Sequence, residues 1–191
     1  MNKILAFAGS GRKQSYNKKL AAIAARGAEQ AGAEVTIIDL ADYPAPIFNQ
    51  DLEQEQGMPD KAREFKNLLI AHDGFLIASP EYNSAFSPLL KNMIDWASRK
   101  ESVDEAPLLA YKGKYAAIMA TSPGALGGLR GLVFLRLLLN NIGVTVLPDQ
   151  QAIAKAAQAF AEDGSLVDKQ QHQAVLDLGQ KLAETIDRQA R

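Results

Sequence analysis

The chain has 191 residues, 47% of them hydrophobic and 23% charged, with a formal net charge of −1. That balance suits one soluble domain and gives no field that would draw nucleic acid or an anionic membrane. Cysteine is absent, which excludes disulfides, thiolate nucleophiles and cysteine-ligated zinc, and two histidines leave few side chains able to catalyse on their own.

One lysine and a short apolar run open the chain, too brief for the core of a signal peptide. Residues 4–8 read as a first strand. After the turn Gly9-Ser10-Gly11-Arg12-Lys13-Gln14-Ser15, a helix is predicted over 16–31, stopped by Gly32. Residues 34–40 are rich in β-branched side chains and read as the second strand. A proline-punctuated loop covers 43–49, and a helix over 59–71 leads into the third strand, 74–79. Residues 87–98 are again helical, with Pro88 in the first turn. An irregular, mixed-charge connection over 99–111 precedes the fourth strand, 115–121.

A glycine-rich turn follows, then an apolar helix over 129–142 that stops at Gly143. Its most apolar stretch, 132–139, is interrupted by Arg136 and is too short to span a bilayer. The fifth strand is placed at 144–147. A closing amphipathic helix covers 168–188, with Val175, Leu178, Leu182 and Ile186 near helical spacing. His72 and His172 lie beside these helices and read as surface or helix-end residues. Strands alternating with helices predict a parallel sheet covered on both faces. The expectation is a single α/β domain over residues 1–191, a flavodoxin-like three-layer sandwich with strand order 2-1-3-4-5, in a soluble cytoplasmic protein.

In such sheets ligands sit beyond the carboxyl ends of the strands, where the order reverses. Three loops at that end have unusual composition. In the first, amides at the start of the following helix lack intrahelical partners and carry partial positive charge, so the turn can hold a phosphate. Ser10, Ser15 and Asn17 can donate to its oxygens, and Arg12 adds a charged hydrogen bond. The P-loop pattern fails for want of a Gly-Lys pair, and Gln14 stands where a dinucleotide fold needs its third glycine.

The second loop, Ser79-Pro80-Glu81-Tyr82-Asn83-Ser84, offers a planar ring and amide groups to the edge and face of a flat heteroaromatic ligand. The third, Thr121-Ser122-Pro123-Gly124-Ala125-Leu126-Gly127-Gly128, lets the backbone come close to such a ligand. A phosphate cradle and a flat polar-edged slot match FMN.

At these residues the chain resembles the NADPH-dependent FMN reductase family, which includes quinone, azo-dye and chromate reductases. The resemblance is carried by the first loop through Asn17, by the second loop continuing through Ser87-Pro88-Leu89-Leu90-Lys91-Asn92-Met93-Ile94-Asp95-Trp96, and by Ser122-Pro123-Gly124 with Gly127-Gly128. It implies that Ser10, Arg12, Ser15 and Asn17 surround the FMN phosphate. Pro80, Glu81, Tyr82, Asn83 and Ser84 then border the isoalloxazine and ribityl groups, with Ser122, Pro123 and Gly124 along the other edge of the ring. It implies no obligatory catalytic side chain. Hydride passes from NADPH or NADH through bound FMN to a quinone, azo compound, free flavin or metal oxyanion.

The resemblance also implies a homodimer or a tetramer; the helix carrying Leu90, Met93, Ile94 and Trp96 is a candidate contact surface, with packing inside the chain as the equal alternative. Two departures stand out. Gly11 replaces a bulky apolar residue, which implies a looser loop, and Val133 and Phe134 replace a polar aromatic pair used between dimers, which argues against a tetramer. Arg12, Lys13, Arg99 and Lys100 are each able to meet a 2′-phosphate, and none distinguishes NADPH from NADH. Two rival readings stay open: a flavodoxin-type electron carrier that does not turn over NAD(P)H, and a dinucleotide dehydrogenase with Asp39 holding a ribose.

Overall fold

The computed structural model describes residues 1–189. Five parallel strands, β1 (Lys3–Ala8), β2 (Glu34–Asp39), β3 (Gly74–Ala78), β6 (Tyr115–Thr121) and β7 (Thr145–Ile153), form one sheet in the order β2-β1-β3-β6-β7. Relabelled as consecutive sheet strands, this is the expected order 2-1-3-4-5. A two-residue-per-strand hairpin, β4 (Glu81–Tyr82) and β5 (Ala85–Phe86), stands apart from it.

The central strands are apolar throughout because both of their faces are covered. Leu5 and Phe7 of β1, with Phe75 and Ile77 of β3, pack under α3 (Asp60–Ala71), α4 (Pro88–Ala97) and α5 (Leu129–Asn141). The alternate residues Ile4, Ala6, Leu76 and Ala78 face α1 (Tyr16–Gln30) and α7 (Lys169–Gln189). The short helices α2 (Gln50–Gln56) and α6 (Ala156–Ala159) complete the helical layers. Neither was anticipated; α2 presents no buried residue, so it lacks the apolar stripe that reveals a helix.

β7 runs to Ile153, six residues beyond the expected Leu147, through Pro148, Asp149 and two glutamines. An edge strand tolerates a proline and polar side chains, and the register shifts between Ala116 and Ile118 of β6 absorb the irregularity. Arg136 holds that irregular stretch, donating to the carbonyls of Leu147 (2.7 Å) and Val146 (3.3 Å).

Trp96, Leu90, Met93 and Ile94 are all buried in the chain's own core, and Trp96 Nε1 donates to the Pro46 carbonyl at 2.8 Å. Of the two roles open to these residues, packing inside the chain is the one they take, and the contact-surface reading is corrected: the amphipathic face of α4 turns toward the sheet. His72 is buried at the end of α3, with Nδ1 2.6 Å from the Leu68 carbonyl and Nε2 2.9 Å from Thr36 Oγ1. It is a helix-end residue, but not a surface one. Among the described residues, no helix is long and apolar enough to cross a membrane.

Candidate functional site

β1 and β3 finish level with one another, and β6 beside them runs two residues further, to Thr121. Ala8 pairs with Ala78 and Ala78 with Met119, while Gly9 N donates to the Ala78 carbonyl and Ser79 N to that of Met119, both at 2.9 Å. The three loops singled out in the sequence therefore leave the sheet side by side. Ser87 ties two of them together. Its hydroxyl donates to the Gly9 carbonyl and accepts from Leu90 N at 3.1 Å, so it caps α4 while holding the first loop in place.

A hollow of about 120 Å³ opens where these loops meet. Ser10, Arg12, Ser15 and Asn17 line it from the first loop, Pro80, Glu81 and Tyr82 from the second, and Ser122 and Pro123 from the third. Tyr16, Thr121 and Ala156 also line it. Asn83, Ser84 and Gly124 do not. Asn83 (φ 51°) and Ser84 (φ 67°) form the turn of the β4–β5 hairpin, in the left-handed pair of conformations that suits a two-residue hairpin loop. Gly124 is exposed, and its carbonyl accepts from Gly127 N and Lys155 N.

The donors at the hollow differ in how free they are. Ser10 and Ser15 are only 3% and 4% exposed. Ser10 Oγ receives one long bond from Arg12 N (3.4 Å), and the Ser15 side chain makes no capping bond although it sits at the N-cap of α1. The first-turn amides of α1 thus lack a side-chain cap and point the positive end of the helix at the hollow. Arg12 and Lys13 form no ion pair among the described residues and are exposed.

Asn17 is committed elsewhere. Its Nδ2 donates to the Thr121 carbonyl and its Oδ1 accepts from Thr121 N, both at 3.0 Å, so its side chain locks α1 to the end of β6. Glu81 is committed too: Oε2 accepts from Gly131 N at 3.0 Å, and Oε1 lies 3.2 Å from Arg130. Gly128, at φ 93°, begins α5 with no side chain to cap it, and the Glu81 carboxylate takes that role.

Other charged candidates are also occupied. Arg99 pairs with Glu53 at 2.7 Å, and Lys100 Nζ donates to the Val103 carbonyl; neither lines this hollow. Asp39 pairs with Lys18 and accepts from Ala41 N, so it is not free to hold a ribose. Burial raises its carboxyl, but the bonds from Lys18 and Ala41 outweigh this and leave it below the usual carboxylate range.

Larger hollows exist, of about 420 Å³ between β7 and α7 and about 380 Å³ beside α2. Most of their charges are paired within the chain, by Lys181–Asp149 and Arg188–Glu184 in the first and by Arg63–Glu101 and Arg99–Glu53 in the second. At the smaller site two hydroxyls with unused protons and the exposed Arg12 meet a helix N-terminus without a side-chain cap. That is the chemistry of an anion pocket.

The model of the NADPH-dependent FMN reductase family matches residues 2–158. The chain belongs to that family. Membership makes it an oxidoreductase, with FMN and NAD(P)H as the implied cofactors. It is 35% identical over 167 residues to an NAD(P)H-dependent FMN reductase of Pseudomonas aeruginosa, covering 87% of this chain and 85% of that one. A NAD(P)H:quinone oxidoreductase of Solanum tuberosum is 34% identical over 189 residues, 95% of this chain and 92% of the relative. The flavoenzyme NAD(P)H:(acceptor) oxidoreductase FerB of Paracoccus denitrificans superimposes with a TM-score of 0.81 at 28% identity, covering 98% of each chain.

Tyr16 and Ala156 were not among the residues expected to meet the cofactor, nor was Thr121, although it opens the third loop. Tyr16 had a readable signal, since it is the first helical residue after the phosphate turn. Thr121 ends a strand that was read correctly, but only the fold shows its neighbours. Ala156 had none, because reaching it requires the unanticipated extension of β7.

Proposed function

We propose that residues 1–191 act as one FMN-binding domain whose hollow holds the cofactor's phosphate, and that the enzyme passes reducing equivalents from NAD(P)H through FMN to a small acceptor. A quinone, azo compound, free flavin or metal oxyanion suits that role, and the cytoplasm, where NAD(P)H is held, suits its location. The observation that carries this reading is the convergence of the Ser10 and Ser15 hydroxyls, neither of which donates to an acceptor among the described residues, on an α1 N-terminus that has no side-chain cap. Hydroxyls with an unused proton and uncapped first-turn amides offer an anion hydrogen bonds at the positive end of the helix.

In this assignment Ser10 and Ser15 donate to phosphate oxygens, and Arg12 closes over them with a charged bond. Asn17 acts through its side-chain bonds to Thr121, which fix the first turn of α1, while its backbone amide remains for the ligand. The hollow is well below the roughly 300–1,000 Å³ of pockets that enclose a drug-sized molecule. A ring system therefore rests at the mouth, bordered by Pro80, Glu81, Tyr82, Asn83 and Ser84 on one side and by Ser122, Pro123 and Gly124 on the other. Tyr82 is 47% exposed there. FMN, when bound, supplies the hydride acceptor and electron donor. The protein's part is to bind, orient and stabilise charge through its amides, with no side chain required as acid or base.

The test is NAD(P)H oxidation by the purified holoprotein with a benzoquinone acceptor, beside binding of FMN and riboflavin to the flavin-free protein. Turnover with a strong preference for FMN supports the assignment. FMN binding without NAD(P)H turnover makes the protein an electron carrier. Equal affinity for riboflavin removes the phosphate site.

We also propose a homodimer, by a face other than α4. Leu129, Val133, Phe134 and Leu137 are 41%, 59%, 50% and 67% exposed along one side of α5, at helical spacing. This stripe adjoins the site through Glu81, and a second copy of the chain is the partner it suits. Phe134→Asp should convert the dimer to a monomer in light scattering while leaving the far-ultraviolet circular dichroism unchanged. A dimer that persists would move the interface elsewhere.

A further inference from the structure

One wall of the hollow is aromatic. The Tyr16 side chain lines it and stacks on Phe160, with ring centroids 5.4 Å apart and planes 23° from parallel. Lys19 Nζ lies 5.7 Å from the centre of the Tyr16 ring and restrains it further. Phe160 belongs to a tight reversal at the end of α6. It bridges to Leu166, Ala161 N donates to the Ser165 carbonyl at 2.9 Å, and Val167 N donates to the Ala159 carbonyl at 2.9 Å. Leu166 is buried, and its N–H donates to His172 Nδ1 at 3.2 Å, which anchors the reversal to α7. Ala156, on the same segment, supplies another part of the wall. Phe160 lies beyond residue 158, where the match to the family model ends.

We propose that the Tyr16–Phe160 stack is a specificity device that closes the phosphate end of the site, admitting a terminal phosphate monoester and rejecting a phosphate that continues into a second nucleotide. This rests on the assignment of the hollow to FMN. Within about 120 Å³, the buried hydroxyls of Ser10 and Ser15 accommodate one phosphoryl group. FAD carries a second phosphate and an adenosine, which need an exit from the hollow. The stacked rings close the wall on the α1 side, and Phe160 keeps the Tyr16 ring from rotating away. Phe160 touches no ligand in this account; it is a positioning residue acting through Tyr16.

The test uses flavin-free protein titrated with FMN, FAD and riboflavin, read by quenching of flavin fluorescence. The wild-type chain should bind FMN at least 100-fold more tightly than FAD. Phe160→Ala should narrow that FMN-to-FAD ratio by at least tenfold, and Phe160→Tyr should restore it. Phe160→Leu keeps apolar volume under the reversal while removing the stack, so it should behave as Phe160→Ala and remains informative should the alanine variant not fold. A folded Phe160→Leu with the wild-type ratio overturns the proposal, and so does a wild-type chain that binds FMN and FAD equally. Riboflavin binding as tightly as FMN is a different failure, since it removes the phosphate site itself.

Discussion

Gly179→Ala should destabilise the fold by about 3 kcal/mol, at or above the upper end of the usual cost of overpacking a core. A Cβ at Gly179 would stand 1.8 Å from the Ala24 carbonyl oxygen, and one at Gly27 would stand 1.9 Å from that of Leu176. Each glycine thus meets the backbone of the opposite helix, α1 against α7. A flexible side chain could swing aside; a helical carbonyl cannot, so the two axes must separate. Separation would loosen Leu20 and Ile23 of α1 from Val175, Leu178 and Leu182 of α7, all buried in one cluster. It would also shift the first turn of α1, so FMN affinity should fall together with stability. Urea unfolding of Gly179→Ala, Gly27→Ala and the double variant measures this. The double variant should cost less than the sum, because either methyl alone already separates the helices. An unfolding midpoint equal to wild type would show that α1 and α7 do not approach so closely.

Arg12→Ala should weaken FMN binding by roughly 1.5–3 kcal/mol, the usual value of a hydrogen bond to a charged group. In a titration this is about a ten- to 150-fold rise in Kd. Arg12 is exposed and forms no ion pair among the described residues, so its loss should leave the unfolding midpoint unchanged. That separation matters: the effect then reports on the ligand rather than on the scaffold. Arg12→Lys should fall between, since an ammonium keeps the charge but not the planar fork that matches phosphate. Raising the salt concentration should weaken wild-type binding more than that of Arg12→Ala. Unchanged affinity in Arg12→Ala would remove this side chain from the site.

Ser10, Arg12 and Ser15 were legible because an apolar strand, a glycine-bearing turn and a helical pattern place them at a helix start by local rules alone. Asn17 was legible as a residue near the phosphate turn, but its side-chain bonds to Thr121 were not. A side-chain amide next to a phosphate turn is equally suited to donate to a ligand or to a neighbouring strand, and only the position of Thr121 decides between them. Glu81 was legible as a residue of the hollow, but its bond to the start of α5 was not, for the same kind of reason. Its partner, the N-terminus of α5, lies fifty residues away, and the glycine at position 128 that leaves α5 without a side-chain cap gives no hint of which carboxylate will serve. Arg99 and Lys100 looked free in the sequence because exposed cations show no partner until Glu53 and the Val103 carbonyl fold beside them.

What the sequence alone determined was the alternation of strands and helices, the parallel five-stranded sheet, and the three loops at its carboxyl edge. These follow from local periodicity and from apolar runs that must be buried on both faces. Tertiary structure decided which donors remain free, how far β7 extends, and that Tyr16 and Phe160 come together. Those depend on contacts between residues distant in the chain. A side chain's unused hydrogen bonds are known only once every competing partner has been placed.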